Sequence, residues 1–335
     1  MPTLPRAHPT PGSPYSSRTV LTRRRTSTPS RHADAASLTR RLTPRDLWLI
    51  AMLHEHRVLT TDHISMLAFS SLRSAQRRLR TLHDLGILDS FRPQRLTGSA
   101  PEHYTLGRAG AAVLAAQGAC ELAGTGWRPD ATARIAYSPF LGHTVGTNTL
   151  MARLSARART SPGDVLTLWL SERSCARRWG DLVRPDAYGN WTAPSDAGGD
   201  DLLLPFFLEY DTGSYQLARL EAKLDGYAAF ATTTGASPVL LIHTRTQSRD
   251  LAVRRRLAEP VRGLSMRVAT SSADFTTATP WDRWWTPIAP GARRTTLTGL
   301  AELWTAATAP TDLEPTDTDT VLTIPVPPLP PPLPQ

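Results

Sequence analysis

Three residues of this chain have the types and the spacing to do chemistry together. Asp186 stands in VRPDAYGNW, Glu209 in LLLPFFLEYD, and Lys223 in LARLEAKLDGY. Lys223 is the single lysine in 335 residues; every other Lys+Arg position is Arg. An ammonium is a compact point charge with three rotatable donors, whereas a guanidinium is a wide planar fork, so a site built for one rejects the other. Two carboxylates and one lysine make a minimal site for a divalent metal, here held by Asp186 and Glu209, and for an attacking water. The expectation is that Asp186, Glu209 and Lys223 converge. Asp211, His143 and Glu172 stand in reserve as further site residues. Bland readings exist beside these. Asp186 can cap a turn, Lys223 can ride the surface of an amphipathic helix, and His143 can be a hydrogen-bonded packing residue. Glu209 is harder to dismiss, because a carboxylate in an apolar strand is costly to bury without a partner.

Bringing those groups together takes a sheet and a covering helix. Apolar runs predict strands over Val165–Glu172, Leu182–Tyr188, Phe206–Asp211, Pro238–Thr244 and Met266–Ser272. Helical spacing predicts helices over Pro139–Arg159, Ser214–Ala231 and Arg249–Leu257, and Asn190–Asp201 reads as a polar turn region. Asp186 then closes strand two, Glu209 sits on strand three, and Lys223 lies on the next helix. The order is α-β-β-β-α-β followed by α-β, a mixed central sheet spanning residues 135–290. PWDRWW (Pro280–Trp285) reads as an aromatic plug for one end of the sheet.

A separate unit precedes it, over residues 42–118. Thr43 can cap a helix with Pro44 in its first turn, carrying Leu47, Trp48, Ile50, Ala51 and Leu53 on an apolar face. A second helix, Thr61 to about Ala68, follows a Thr60 or Thr61 cap. The third, Ser71–Leu85, turns Leu72, Ala75, Leu79, Leu82 and Leu85 to a core and Arg73, Gln76, Arg77 and Arg80 away from it. Gly86 stops it, and ILDSFRP and EHYTL read as a hairpin around RPQRLTGSAP. Three short helices and a hairpin make a winged helix-turn-helix, a DNA-binding unit whose third helix enters the major groove. Arg73, Gln76 and Arg77 are then the base-reading residues, Arg80 a further DNA-binding residue of that face, and Arg92 and Arg95 the phosphate contacts on the wing. The competing reading is a solvated charged face that binds protein. Arg108–Gln117 closes the unit as a helix, and Gly118–Arg134 reads as a connector.

Composition bounds the rest. The net charge of +9 and pI near 10.3 make a polyanion a fitting partner. Residues 1–41, with eight Arg and one Asp, read as a disordered basic tail able to embrace DNA backbone or simply to solubilise. Residues 308–335 read as a disordered Pro-rich tail. Two cysteines, Cys120 and Cys175, without a CxxC or Cys/His cluster, argue against a structural zinc site or a disulfide framework and fit the cytoplasm. No run of about 18 apolar residues predicts a membrane span, and no GxxxxGK[ST] supports an ATP-driven motor.

Two resemblances sharpen this reading. The α-β-β-β-α-β order with Pro185-Asp186 and Glu209 resembles the restriction-endonuclease-like PD-(D/E)xK nucleases. That likeness implies Mg²⁺ on Asp186 and Glu209, with a lysine orienting the attacking water. The chain departs from the pattern at Asp211, which stands where the family's lysine belongs, while Lys223 lies on the following helix. Asp211 is then either an extra ligand or the mark of a non-cleaving domain. The phrases LTPRDLWLIAMLHEHRVLTTDHI, RRLRTLHDLGIL, RPDAYGNW, FFLEYDTGSYQLARLEAKLDGY and PVLLIHT, over about Leu42–Thr270, resemble the replication-relaxation family of actinobacterial and Gram-positive plasmids and integrative elements. The resemblance implies a DNA-linked role in mobile-element replication or conjugative processing, with replication or conjugation proteins as partners.

Two readings compete: a metal-dependent DNA endonuclease, or a non-catalytic adaptor or transcriptional regulator whose nuclease-like domain is degenerate. A tyrosine relaxase of the HUH type is disfavoured. Its nearest match, His54-Glu55-His56, has an acidic centre and sits in a helical stretch where i and i+2 diverge.

Overall fold

The computed structural model describes residues 21–25, 40–94, 98–158, 163–195, 200–274 and 283–310. The remainder of both tails, the PWDRWW phrase up to Asp282, and Arg95 lie outside the described residues.

Side-chain caps start the first helices where local chemistry demands. Helix α1 (Pro44–His56) opens on Thr43, whose backbone N–H donates to Asp46 Oδ2 at 2.7 Å while Asp46 N–H returns to Thr43 Oγ1 at 3.3 Å. Helix α2 (Thr61–Ala68) repeats the device with Thr60 and His63, after a two-residue strand β2 (Leu59–Thr60). Helix α3 (Leu72–Asp84) starts from Ser71. It buries Ala75, Leu79 and Leu82, but Leu72, expected in the core, is 46% exposed. Leu72 is the first helical residue and stands past the end of the packed face. Strands β3 (Leu88–Pro93) and β4 (His103–Leu106) form the hairpin, and helix α4 (Arg108–Gln117) follows. Strand β1 (Leu21–Arg25) pairs antiparallel with β3, so five residues expected in a disordered tail extend this sheet to the order β1-β3-β4-β2. Pairing gives the outer edge of β3 backbone partners that it would otherwise lack.

The expected connector holds a short helix, α5 (Ala131–Ala136), before the long α6 (Leu141–Ala158). Then come β5 (Val165–Ser171), α7 (Glu172–Trp179), β6 (Ala187–Ala193), β7 (Leu202–Asp211), α8 (Leu217–Thr234), β8 (Val239–Thr244), α9 (Gln247–Gly263), β9 (Val268–Ser271), β10 (Thr286–Pro287) and α10 (Leu297–Leu303). The six strands make one mixed sheet, β10-β9-β8-β7-β6-β5. Strands β5, β6 and β7 form an antiparallel meander, and β8 and β9 run parallel to β7. The result is a mixed α+β protein.

The second strand is not where its apolar residues suggest. The sequence predicts it over Leu182–Tyr188, but α7 occupies the preceding polar stretch, capped by Ser171 and burying Cys175 and Trp179 one turn apart. The chain needs residues 180–186 to return, and the strand begins at Ala187. Asp186 therefore opens β6 rather than closing it. Asn190, expected to open a polar turn region, lies inside the strand, and Gly189 before it leaves room for the Phe206 ring, from which a Cβ there would stand 2.6 Å. Strand β7 starts earlier than expected and contains Pro205, one residue before β8 joins at Phe206↔Val239. Its missing N–H thus falls outside that parallel ladder.

Each face of the sheet has its own core. Leu204, Phe206 and Leu208 pack with Leu150, Met151 and Leu154 of α6 and with Leu297 and Leu300 of α10, so the unit continues past residue 290. Phe207, Leu240 and Ile242 pack with Leu224, Tyr227 and Phe230 of α8 and Val253 and Leu257 of α9. The α6-side cluster runs without a break into the first unit through Leu49, Leu53, Ile64 and Leu67. Polar groups stitch the same seam. Asn148 Nδ2 donates to the carbonyls of His56 (3.3 Å) and Val58 (2.8 Å), and His63 meets Thr149 Oγ1 at 2.8 Å. Glu55 Oε1 accepts from the amide and hydroxyl of Ser171 at 2.9 and 2.7 Å. His56 stacks on Trp169 with ring centroids 3.8 Å apart. The His-Glu-His phrase is thus part of this seam, joined by His54 Nε2, 3.0 Å from the Thr125 carbonyl.

Candidate functional site

Asp186 enters the site one step before the β6–β7 ladder begins. Ala187 pairs with Leu208, so the next step of the register sets Asp186 opposite Glu209. Asp186 N–H donates to the Leu208 carbonyl at 2.9 Å, and its own Oδ2 accepts from Tyr210 N–H at 2.7 Å. The carboxylate thus takes the place of a backbone carbonyl. That is a structural duty, and it leaves Oδ1 to face His143 Nε2 of α6 at 3.0 Å.

Glu209 turns to the opposite layer. It is 4% exposed, and α8 supplies both of its partners: Lys223 Nζ donates to Oε2 at 2.5 Å and Tyr227 Oη donates to Oε1 at 2.5 Å. Lys223 and Tyr227 are four residues apart, hence one above the other on a single helix face. The ammonium keeps about a third of its side chain open to solvent. The three residues expected to converge are therefore brought to one end of the sheet, at the carboxyl ends of β7 and β8. Asp186 joins the layers, with His143 reaching it from one face while Glu209, Lys223 and Tyr227 lie on the other.

The charges are mutually dependent. Burial, then the nearby Asp186 charge, lifts the Glu209 carboxyl to about 7, against the pull of Lys223 and Tyr227. Burial works against the Lys223 ammonium, but Glu209 and Asp186 overcome it and raise its pKa. His143 behaves alike: burial disfavours its cation, yet the hydrogen bond and charge of Asp186, helped by Glu172 and Glu209, raise its pKa. Burial, then the charge of Glu209, pushes Tyr227 well up, which keeps it a donor. Near neutral pH the site can exchange a proton at Glu209 while presenting an ammonium at its open side.

Asp211 and Glu172 are placed differently. Asp211 Oδ2 accepts from Arg249 Nε at 2.7 Å and Oδ1 from Gly213 N–H at 2.8 Å, so this carboxylate fixes the end of β7. Glu172 is exposed at the start of α7 and acts on His143 only through its charge. Tyr227 and Tyr210 were not anticipated. The i, i+4 spacing of Lys223 and Tyr227 was a readable signal, whereas the Tyr210 contact is made by backbone. A Cβ on Gly146 of α6 would stand 2.3 Å from the Tyr210 ring, so that glycine lets the ring lie against the helix beside His143.

Among the described residues no group of three or more His, Cys, Asp and Glu is arranged to hold a metal ion. The two carboxylates nonetheless match what Mg²⁺ takes, one or two carboxylates completed by water and phosphate oxygens. Each of their four oxygens has accepted one hydrogen bond and keeps a second lone-pair direction.

In the first unit, Arg73, Gln76, Arg77 and Arg80 are all exposed on α3. Arg78 between them is committed instead, its guanidinium paired with buried Asp46. Arg92 is partly exposed and is held by Glu102 at 3.0 Å and Ser99 at 3.2 Å. Beside α3 a cleft of about 400 Å³ is lined by Arg45, Asp46, Phe69, Ser74, Arg77 and Arg78, none of them a residue of the acidic site. Among the described residues no helix is long and apolar enough to cross a membrane.

No curated protein and no solved structure matches the chain. The replication-relaxation model matches residues 50–240, a span that carries α2, α3, Asp186, Glu209 and Lys223. With more than half of its length covered, the chain belongs to the replication-relaxation family.

Proposed function

We propose that this chain is a DNA-binding protein acting in plasmid or mobile-element replication or in conjugative DNA processing, and that its sheet unit is a metal-dependent nuclease. In this reading α1–α3 and the β3–β4 hairpin are a winged helix-turn-helix, and α3 reads duplex DNA through Arg73, Gln76, Arg77 and Arg80. The α6-β5-α7-β6-β7-α8-β8 order, an antiparallel meander with one inserted helix followed by a parallel crossover, supports a restriction-endonuclease-like unit. The observation that carries the proposal is the Lys223–Glu209 contact at 2.5 Å, with Asp186 on the adjacent strand. Family membership supports the DNA-linked role.

The residues divide the work by charge. Lys223 presents its ammonium to the phosphate and to the attacking water, where a fixed cation offsets developing negative charge. Glu209 anchors the Lys223 ammonium through Oε2, and the proton that the water gives up passes to solvent at the open side of Lys223. His143 holds Asp186 in place from the other layer. Asp186 and Glu209 would hold Mg²⁺, which when bound supplies Lewis-acid stabilisation of the phosphate.

A second reading, a non-catalytic adaptor or regulator, is favoured by one specific observation. Asp211 stands where the nucleases carry lysine, and it is bound to Arg249. Supercoiled plasmid incubated with Mg²⁺ or Mn²⁺ decides between them. Nicking or linearisation by the wild-type chain, lost in Asp186→Ala and in Lys223→Ala, is the expected result. Wild-type protein that binds duplex and cuts no topology would leave the adaptor.

A further inference from the structure

One turn before Lys223 on α8, Arg219 places its guanidinium over the ring of Tyr215, 4.3 Å from the centroid. Tyr215 is 43% exposed, and Arg219 is exposed beside it. Exposed tyrosines are common, but this one is held. Arg249 Nη2 donates to the Tyr215 carbonyl at 2.7 Å while its Nε holds Asp211, the last residue of β7. Asp211 in turn accepts from Gly213, which has φ +79°, a conformation suited to glycine. The loop from Asp211 to Gln216 is therefore fastened to the strand that carries Glu209. The cation stands one turn from Lys223 on the same helix face, since residues four apart on a helix are neighbours, and its charge acts on that ammonium; the Tyr215 ring lies beneath the guanidinium.

We infer that Tyr215 and Arg219 form a platform on which an unpaired base of single-stranded DNA stacks at the mouth of the Asp186–Glu209–Lys223 site. The inference rests on the reading that this site meets DNA, and it adds which form of DNA is taken there. An aromatic face stacks on any base, and a neighbouring cation draws the phosphate that follows it. A duplex offers no such face, because its bases are already stacked on each other. The two units then divide the substrate: α3 takes paired DNA, and the end of the sheet takes a separated strand.

Fluorescence anisotropy of the full chain with labelled oligo-dT, and with a duplex of equal length, tests this. Tyr215→Ala is expected to weaken oligo-dT binding about tenfold or more, Tyr215→Phe to retain it, and both to bind duplex as the wild type does. Arg219→Gln should weaken oligo-dT binding and flatten its salt dependence. Wild-type protein that fails to bind oligo-dT, or Tyr215→Ala that binds it unchanged, overturns the inference. So does Tyr215→Phe falling as far as Tyr215→Ala, since the ring face would then not be the contact. Failure here is separable from failure of the nuclease reading. Tyr215-dependent binding without any plasmid cutting retires the nuclease and keeps the platform, and cutting with Tyr215-independent binding does the reverse.

Discussion

Two buried glutamates in this molecule face opposite fates. At the seam between the units, Glu55 is buried, yet its carboxyl falls to about 2. Burial alone would raise it, but the charge of His56 and the hydrogen bonds of Ser174 and Ser171 outweigh that penalty. At the sheet end Glu209 is as deeply buried and has an ammonium besides, yet it rises to about 7. Burial is the larger cause, and to it Asp186 adds a like charge that Glu55 does not face. A carboxylate surrounded by donors is settled, whereas one that shares its site with a second carboxylate cannot be. The seam is built to hold charge still, and the sheet end to let a proton move.

Replacing each glutamate should separate the two roles. Glu55→Ala strips the Ser171 amide and hydroxyl of their acceptor and is expected to cost about 3 kcal/mol, read from urea denaturation. Glu209→Gln keeps the acceptor for Tyr227 and removes the repulsion from Asp186, so at pH 4.5, where the wild-type carboxyl is protonated as well, stability should change by less than about 1 kcal/mol. Equal losses at the two positions would erase the distinction.

Acidity gives a second, somewhat smaller test with opposite signs. His56 and His63, lowered by burial to about 4 and about 3, contribute stability that is present above their unfolded value of 6.5 and lost as pH falls through that window. Glu55 adds a loss between 4.5 and about 2. Glu209, raised above its unfolded value, contributes stability that is full below 4.5 and fades as pH climbs to about 7. Wild-type and Glu209→Gln chains melted from pH 4 to 7.5 should therefore diverge by roughly 2–3 kcal/mol across the range 4.5–7, and parallel curves would show that Glu209 is settled after all. The smallest effect belongs to Tyr227→Phe. Loss of its hydrogen bond should raise Glu209 further and cost about 1 kcal/mol, read by a carboxyl titration in difference infrared spectra; a downward shift would contradict the assigned donor role.

The caps at Thr43 and Thr60 were legible because a hydroxyl stands just before each helical run, whereas Ser71, read as the first residue of its helix, is the cap instead. The grouping of Asp186, Glu209 and Lys223 was legible for another reason: a lone lysine among so many arginines is a compositional mark that needs no fold. The position of Asp186 was misread. Helix α7 hides in ERSCARRW, whose apolar residues are too few to show a periodic face, and every later boundary in that stretch moved with it. The seam could not be read at all. Glu55 and Ser171 meet across 116 positions of sequence, and nothing near either residue names the other. Likewise the strand at Leu21–Arg25 depends on an edge that β3 supplies from far along the chain.

The seam also sets a length. With Asn148 clasping the end of α1 and one apolar mass filling both units, the described residues show no hinge between the helix proposed to grip a double helix and the acids at the far sheet. The molecule is a caliper with its jaws fixed. On the proposed reading, the stretch of DNA between them is measured by the protein's own dimensions, and a change of spacing in the target would have to be met by bending the nucleic acid.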